Sequence, residues 1–136
     1  MIEISITTRN KEEFIDITDK ILNVVNKEIE SRRIKEGIVV IYIPHTTAGC
    51  VINENADPSV RKDILEFLSQ HIPSDKKYHH LEGNADAHIK SSILGNSINL
   101  IISEGKLILG SWQGIFFCEF DGPRNRKIYL QIIKQE

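Results

Sequence analysis

Histidine and threonine stand together directly after an apolar run in the first half of the chain. Residues 45–50 read HTTAGC and follow a stretch rich in isoleucine and valine. An imidazole binds a metal ion or moves a proton near neutral pH, while hydroxyls, backbone N–H groups and the unhindered backbone of Gly49 suit a phosphate. The segment predicts a metal or phosphate site with His45 as a catalytic residue and Thr46 and Thr47 as substrate contacts. A surface turn would use the same residues, and the local sequence leaves both interpretations open.

Thiol chemistry has one candidate, Cys50, because it is close in sequence to His45 and a nearby imidazolium stabilises a thiolate. Cys118 is predicted to pack within a strand. No run combines a basic start, an apolar stretch and a small-residue cleavage site, so we expect no signal peptide. Two free thiols are then typical of a reducing cytoplasm, which is the expected location.

A second polar segment, residues 53–57, reads NENAD and precedes Pro58. Asp followed by Pro is typical of a helix start, since Asp caps the helix and proline loses no hydrogen bond at the first helical position. Side chains gathered at a helix N-terminus also suit an anion. Asp57 therefore has two interpretations, a cap and a catalytic carboxylate. Asn53 and Asn55 are predicted to contact a substrate.

A third segment, residues 78–88, contains three of the five histidines. Asn84 can cap a short helix and reach a ligand, and His88 then lies on the same face, with Ser91 one turn further on. His80 in the preceding loop can meet His88 at the helix start. Two or three histidines around an open position are what a catalytic metal site needs. The spacing matches no specific zinc pattern, however, and a solvated loop also accommodates His80.

The last polar segment, residues 110–114, reads GSWQG. Trp112 and Gln113 lie between two glycines, where an indole can stack on a planar ring and an amide can hydrogen-bond to it. A bulge with a core tryptophan is the structural alternative. The functional interpretation makes both residues substrate contacts.

The composition excludes several classes of protein. The 136 residues suffice for a single domain, 1–136, and with 40% hydrophobic residues that domain can bury a core without disulfides or a structural metal. The net charge is −2 and no basic stripe is present, so nucleic acid is not an expected partner. No apolar stretch approaches the roughly 20 residues that cross a bilayer, so a membrane is not expected either.

Periodicity and capping patterns predict the elements that position these segments. A half-buried strand alternates apolar and polar residues, and a continuous β-branched run indicates a strand buried on both faces. Two apolar runs around a turn indicate a hairpin. In chain order the patterns predict a strand at 2–8, a helix capped by Thr18, a doubly buried strand at 38–43, a helix from Asp57 to Pro73, a helix from Asn84 to Leu94, a hairpin within 98–109, and a second hairpin that pairs 112–120 with 128–133.

This order predicts an α+β fold, with mostly antiparallel strands in sheet layers and the helices packed on one side. The helix that starts at Asn84 is expected to turn Ile89 and Ile93 toward the core. Residues 115–118 are apolar on both faces of their strand. That strand therefore needs a second cover, which is either another sheet layer or another subunit.

Together the polar segments resemble the YjbQ-like family, also called the secondary thiamine-phosphate synthase family. The resemblance extends nearly from end to end of the chain and includes FIDIT at residues 14–18. Its motifs are HTTAG at 45–49, NENADP at 53–58, Tyr78-x-His80, AHIKSS at 87–92, and LGSWQG at 109–114 continuing to CEFDG at 118–122.

The resemblance implies a homotrimer of α+β subunits with the polar site near subunit contacts. It also implies a transferase that joins a pyrimidine diphosphate to a thiazole phosphate and releases diphosphate, an activity that is secondary in the family. The expected partner is thus a small phosphorylated substrate. By motif position, the resemblance assigns metal or phosphate binding to His45, His80 and His88, pocket lining to Cys50, Asn55 and Asp57, and ring contacts to Trp112 and Gln113.

A leaving diphosphate needs charge neutralisation by a divalent metal, a lysine or a histidine, and Lys90 beside His88 is the candidate lysine. Imidazoles favour zinc-like ions, whereas diphosphate chemistry commonly uses magnesium held by carboxylates, so the expected ion is zinc or magnesium. Four functions stay open: the transferase, a metal-dependent hydrolase of a small phosphate or ester, a non-catalytic trimer that binds a metabolite or metal, and a protein whose histidines only cap and pack.

Overall fold

The chain folds into two antiparallel sheets and three helices in a computed structural model that describes all residues from Met1 to Glu136. Five strands form one sheet in the order β1-β8-β3-β5-β6, and three form another in the order β2-β7-β4. The predicted α+β class is confirmed. The strands are β1 Ile2–Thr7, β2 Glu13–Asp16, β3 Gly37–Tyr42, β4 Ala48–Glu54, β5 Ser97–Ser103, β6 Lys106–Leu107, β7 Gln113–Glu119 and β8 Asn125–Lys134, and the helices are α1 Thr18–Arg32, α2 Pro58–His71 and α3 Ala85–Leu94.

Strand β7 is covered on both faces, as its doubly apolar sequence requires. Ile115 and Phe117 belong to the larger core, where the two sheets pack on each other together with α1. Phe116 and Cys118 point the opposite way into a smaller core beneath α2 and α3. The covers are therefore a sheet on one side and a pair of helices on the other, both from the same chain.

The connection between β7 and β8 crosses from one sheet to the other. The expected hairpin between residues 112–120 and 128–133 is wrong, because β7 lies between β2 and β4 whereas β8 lies between β1 and β3. Alternation identifies a strand but does not specify its partner. A buried ion pair between Glu119 at the end of β7 and Arg126 near the start of β8 joins the sheets at this crossing.

The outer face of the five-stranded sheet carries apolar side chains that nothing in the chain covers. Val39 and Ile41 of β3 are buried, but Ile38 is 46% exposed, so the expectation that this strand is buried on both faces is wrong. In the strand register Ile38 lies between Ile101 of β5 and Ile133 of β8. These three isoleucines form an exposed row across the sheet, and we call it the isoleucine row.

Helix α3 packs on β4 through small and polar residues. The expectation that Ile89 and Ile93 face the core is wrong, because they are 38% and 63% exposed. Ser91 is buried instead and donates its hydroxyl proton to the Ala48 carbonyl at 2.7 Å, which draws the helix close to the strand. None of the three helices is long and apolar enough to cross a membrane.

Candidate functional site

The loop between β3 and β4 is fixed against the end of α3. The Cys50 N–H donates to the Gly95 carbonyl at 3.1 Å. Gly49 is required at this approach, because a Cβ there would lie 2.5 Å from the same carbonyl oxygen. These contacts hold His45 and Thr46 beside the C-terminal half of α3, as the segment HTTAGC requires if it is to form a site.

A groove of about 470 Å³ separates this loop from α3, and no hydrophobic residue lines it. We call it the histidine groove, since His45 stands on the loop side and His88 on the helix side. A wholly polar lining suits a small charged ligand better than an apolar one. The lining residues are His45, Thr46, His88, Ser91, Ser92, Gly95 and Asn96.

The imidazole of His45 is held in one tautomer. The Lys127 N–H donates to His45 Nε2 at 3.0 Å, so in the neutral ring the proton is on Nδ1. Burial lowers the pKa of His45, and the positive charge of Arg126 lowers it further. His45 is therefore a neutral hydrogen-bond donor at pH 7, with Nδ1–H as its free group.

The helix side of the groove favours positive charge. The Ser92 hydroxyl donates to the His88 carbonyl at 2.8 Å, and that of Ser91 is also committed to a carbonyl, so both oxygens are left to accept. The groove also lies along the C-terminal half of α3, where the helix dipole favours a cation. A cation is thus more favourable on this side than a bare anion.

A second pocket of about 460 Å³ also has His45 in its lining, together with two arginines and no acidic residue. We call it the arginine pocket. It shares His45, Thr46 and Asn96 with the histidine groove. Its other lining residues are Tyr42, Pro44, Thr47, Arg124 and Arg126.

Arg126 is the residue of this region that the sequence analysis missed. Its side chain is almost fully buried, and Nε donates to Glu119 Oε1 at 2.9 Å while Nη2 bonds to Glu119 Oε2 and, at 2.9 Å, to Thr47 Oγ1. Burial alone would raise the pKa of Glu119, but hydrogen bonds from Arg126 and Thr8 outweigh it and lower that pKa. Glu119 thus stays ionised and fixes the guanidinium between the sheets.

A third, smaller pocket of about 390 Å³ adjoins the groove at His88. The His80 and His88 rings meet edge-on there, with centroids 5.1 Å apart, so the structure brings together the pair that the sequence predicts. Tyr78 and Ile89 supply apolar surface beside them. His88 is therefore shared, facing His45 in one pocket and His80 in the next.

The three histidines do not converge on one point. No group of three or more histidine, cysteine or acidic side chains lies close enough to hold a metal ion. His80 and His88 fit two positions of a zinc-like ion. His45 does not fit as a third Nε2 ligand while the Lys127 N–H occupies that atom. No carboxylate lines the groove or the third pocket, so the donor set does not fit magnesium.

Three candidate residues of the central segments lie outside these pockets. Cys50 is in the larger core, and burial raises the pKa of its thiol to about 12, which leaves no thiolate for catalysis. Lys90 is 1% exposed and pairs with Glu12 and, at 3.2 Å, with Asp86 rather than with a ligand. Asn84 precedes α3, and its amide donates to Asp121 Oδ2 at 2.9 Å.

The remaining candidates gather at the other end of β4. Six residue steps along this strand, from Ala48 to Glu54, correspond to roughly 20 Å at the usual rise. Within one chain the structure therefore does not bring these candidates to the histidine groove. They are Asn53, Asn55, Asp57, Trp112 and Gln113.

Asp57 and Gln113 of this distal group have local partners, whereas the Trp112 side chain is exposed. Asp57 caps α2 by accepting from the Ser59 N–H at 2.9 Å, which confirms the cap. Trp112 is 67% exposed, which excludes the core-tryptophan alternative. Gln113 accepts the Gly110 N–H at 2.7 Å and so shapes the turn that presents the indole.

Comparison with known proteins identifies relatives along the whole chain. A family model described as UPF0047 protein YjbQ-like matches residues 2–135. The chain is 56% identical over 128 residues to a UPF0047 protein of Methanocaldococcus jannaschii, covering 94% of this chain and 90% of that one. It is 47% identical over 131 residues to the UPF0047 protein YugU of Bacillus subtilis, covering 96% of each.

Solved structures share the fold. A crystal structure of an uncharacterised YjbQ/UPF0047 protein from Clostridium acetobutylicum is 51% identical, with a TM-score of 0.89 over 98% of this chain and 100% of that one. A protein of unknown function from Sulfolobus solfataricus is 34% identical, with a TM-score of 0.91 over 98% and 96% of the two chains. These relatives therefore share both sequence and fold with this chain over nearly its whole length.

Proposed function

The chain belongs to the YjbQ-like UPF0047 family, and from the histidine groove we propose that it is an enzyme acting on a small phosphorylated substrate. One observation carries the proposal: neutral His45 faces His88 across a groove without an apolar lining residue. Two imidazoles on opposite walls suit a hydrogen-bond donor and a proton-transfer group for one ligand. A pair of histidines that only capped or packed would not need a groove between them.

The reaction we propose first is the transfer that joins a pyrimidine diphosphate to a thiazole phosphate. The thiazole nitrogen attacks the exocyclic carbon, the C–N bond forms as the C–O bond breaks, and diphosphate leaves with the electron pair. His45 Nδ1–H donates to a phosphate oxygen, and His88 supplies a proton to the leaving group. General acid catalysis of this kind contributes about 10²- to 10⁴-fold to a rate.

A metal-dependent hydrolase of a small phosphate or ester is the second candidate. It is favoured by the edge-on contact of His80 with His88, two imidazoles that suit a zinc-like ion. Such an ion, when bound, would activate a water molecule. In that case His45 would bind the phosphate, and His80 and His88 would hold the ion.

Turnover assays separate the two reactions. We would incubate the protein with both thiamine precursors and, separately, with a panel of phosphate monoesters, each with zinc, with magnesium or with a chelator. The transferase predicts thiamine phosphate by mass spectrometry, lost in His88→Ala and retained in His71→Ala, a matched control on the surface of α2. The hydrolase predicts free phosphate only when zinc is present. No product in any condition would contradict an enzyme and leave a metabolite-binding protein.

We propose a homotrimer as the assembly, with a second copy of the chain covering the isoleucine row. Ile38, Ile101 and Ile133 are each at least 46% exposed and adjacent in register, which is costly for a monomer. Light scattering should give three times the mass of the 15.5 kDa chain. The variant Ile101→Lys should shift that mass downward, and a monomer in the wild type would contradict the proposal.

A cytoplasmic location is part of the same proposal. Cys50 and Cys118 are both buried free thiols, which a reducing compartment preserves. Cell fractionation should find the protein with cytoplasmic markers. Recovery with membrane or exported fractions would contradict this location.

A further inference from the structure

We infer that the arginine pocket is an oxyanion subsite that takes a phosphate group next to His45, beside the histidine groove. The inference deepens the proposed function, on which it rests for assigning this phosphate to the substrate. The subsite itself rests on the geometry of Arg126 and Arg124. Neither residue belongs to the motifs that drew attention to the histidines.

Hydrogen bonds hold two of the three guanidinium nitrogens of Arg126 and leave the third without a partner in the chain. Nε and Nη2 are committed to Glu119 and Thr47. Nη1 makes no hydrogen bond within the chain, yet it is not among the enclosed atoms that lack a partner. Because Arg126 lines the arginine pocket, this nitrogen is the atom of its guanidinium that is available to a ligand there. A guanidinium held on one edge presents its free N–H groups without further loss of side-chain entropy.

Arg124 repeats the arrangement at the rim. Its Nε donates to the Asp121 carbonyl and its Nη2 to Asp121 Oδ2, both at 2.8 Å, which again leaves Nη1 without a partner in the chain. Two arginines, each anchored by a carboxylate behind it, thus offer free nitrogens to one pocket. Charge-assisted N–H donors of this kind are those that bind phosphate oxygens most strongly.

The rest of the lining also suits an oxyanion. No acidic residue lines the pocket, and Thr46 adds a hydroxyl. Glu119 lies behind Arg126 and is itself held by the backbone N–H groups of Phe120 and Asp121, both at 3.1 Å, and by Thr8. Glu119 therefore does not reach the pocket, and its charge is shared with Thr8 and two backbone N–H groups as well as with Arg126.

His45 connects the two sites. It lines both the arginine pocket and the histidine groove, and its Nδ1–H is its free donor. A ligand bound through an oxyanion at Arg126 can therefore reach the histidine groove past His45, which lines both sites. Arg126 would bind a phosphate, and the reacting bond would lie between the two imidazoles.

The test is binding of inorganic phosphate to the full chain by calorimetry, together with the side-chain Nε–H resonance of Arg126 in ¹⁵N-labelled protein. We expect saturable binding that shifts this resonance. Arg126→Met alone leaves Glu119 unpaired, so the working variant is Arg126→Met combined with Glu119→Gln, with circular dichroism to verify its fold. It should weaken phosphate binding by about tenfold or more, the value of one charge-assisted hydrogen bond.

Arg124→Gln should weaken binding in the same direction, whereas Arg33→Gln, an exposed arginine beyond α1, is the matched control and should not. No saturable binding, or unchanged binding in the folded double variant, would overturn the inference. A second arm uses phenyl phosphate. If this ester binds at Arg126 and also shifts His88, the phosphate is a substrate group; if only inorganic phosphate binds, the subsite holds a free anion.

Phosphate binding at Arg126 and catalytic turnover can fail independently of each other. Phosphate binding at Arg126 without any product would refute the proposed enzyme and leave the subsite standing. Turnover without phosphate binding in this pocket would refute the subsite and leave the enzyme standing.

Discussion

Replacing Arg126 with methionine removes the positive partner of a carboxylate that is fully buried. Glu119 is 0% exposed and accepts two hydrogen bonds from the guanidinium, so the variant leaves an ionised group in the interior. The Thr47 contacts are lost in the same step. Methionine fills most of the space, so the effect reports charge and hydrogen bonding rather than a cavity.

Removing one member of a buried pair costs about 3–5 kcal/mol. Glu119 keeps donors from Thr8 and from two backbone N–H groups, so we expect about 3 kcal/mol, the lower end of that range. For a chain of 136 residues this corresponds to a fall in Tm of roughly 10 °C. Adding Glu119→Gln removes the unpaired charge, and the double variant should lie within about 1 kcal/mol of the wild type.

The assay is urea unfolding followed by circular dichroism at fixed protein concentration, for the wild type, both single variants and the double variant. The coupling free energy from this cycle should be about 2 kcal/mol or more. A loss below about 1 kcal/mol for Arg126→Met would show that the Glu119–Arg126 pair is solvated, because only a solvated pair costs so little to break. A double variant whose loss of unfolding free energy equals the sum of the two single losses would also contradict a coupled, buried pair.

Three further predictions concern titration and reactivity. His45 should titrate below 6.5 in NMR, because burial and Arg126 disfavour its charged form, and a midpoint above 7 would contradict the neutral donor. Cys50 and Cys118 should react with a thiol reagent at pH 8 only after unfolding, because burial raises the pKa of both, and rapid modification of the native protein would show an accessible thiol. The folded-state pKa of Glu119 is lowered, so its stabilisation is complete above its unfolded value of about 4.3 and is lost as pH falls through the folded value. Between pH 5 and 3 the wild type should therefore lose stability more steeply than the Arg126→Met/Glu119→Gln variant, and equal slopes would contradict this.

The parts of the site that could be predicted from sequence are those that local spacing determines. His45 follows a β-branched strand, and His88 and Ser91 lie three residues apart on a helix, so their presence on one side of α3 follows from period alone. The meeting of His80 with His88 also depends on a short stretch of chain. Each of these predictions concerns residues that are close together in the sequence.

The parts that could not be predicted depend on pairing between distant segments. Arg126 lies on the inward face of β8 with Ile128 and Leu130, and a basic residue at such a position is a signal that it has a buried partner. That it lines one pocket with His45, however, depends on β8 pairing with β3 rather than with β7. The expected hairpin did not predict this arrangement.

The distal group shows that residues predicted to share a site can lie far apart in the folded chain. Asn55 and Trp112 belong to the same family resemblance as His45, yet β4 separates them from it by its full length. The Asn55 N–H donates to the Trp112 carbonyl at 3.1 Å, so these two are neighbours of each other. Shared membership in a motif set indicates a shared function but does not place residues in one pocket of one chain.

His45 and His88 are proposed to act on one substrate, and a kinetic double-mutant cycle shows whether they do. With the substrate identified by the turnover screen, kcat/KM would be measured for the wild type, His45→Ala, His88→Ala and the double variant. We predict that each single change lowers kcat/KM by about 10²-fold or more, and that the double variant is little worse than the weaker single variant, because the two groups act as a unit. Single variants that keep kcat/KM within threefold of the wild type, with the fold intact, would contradict the account.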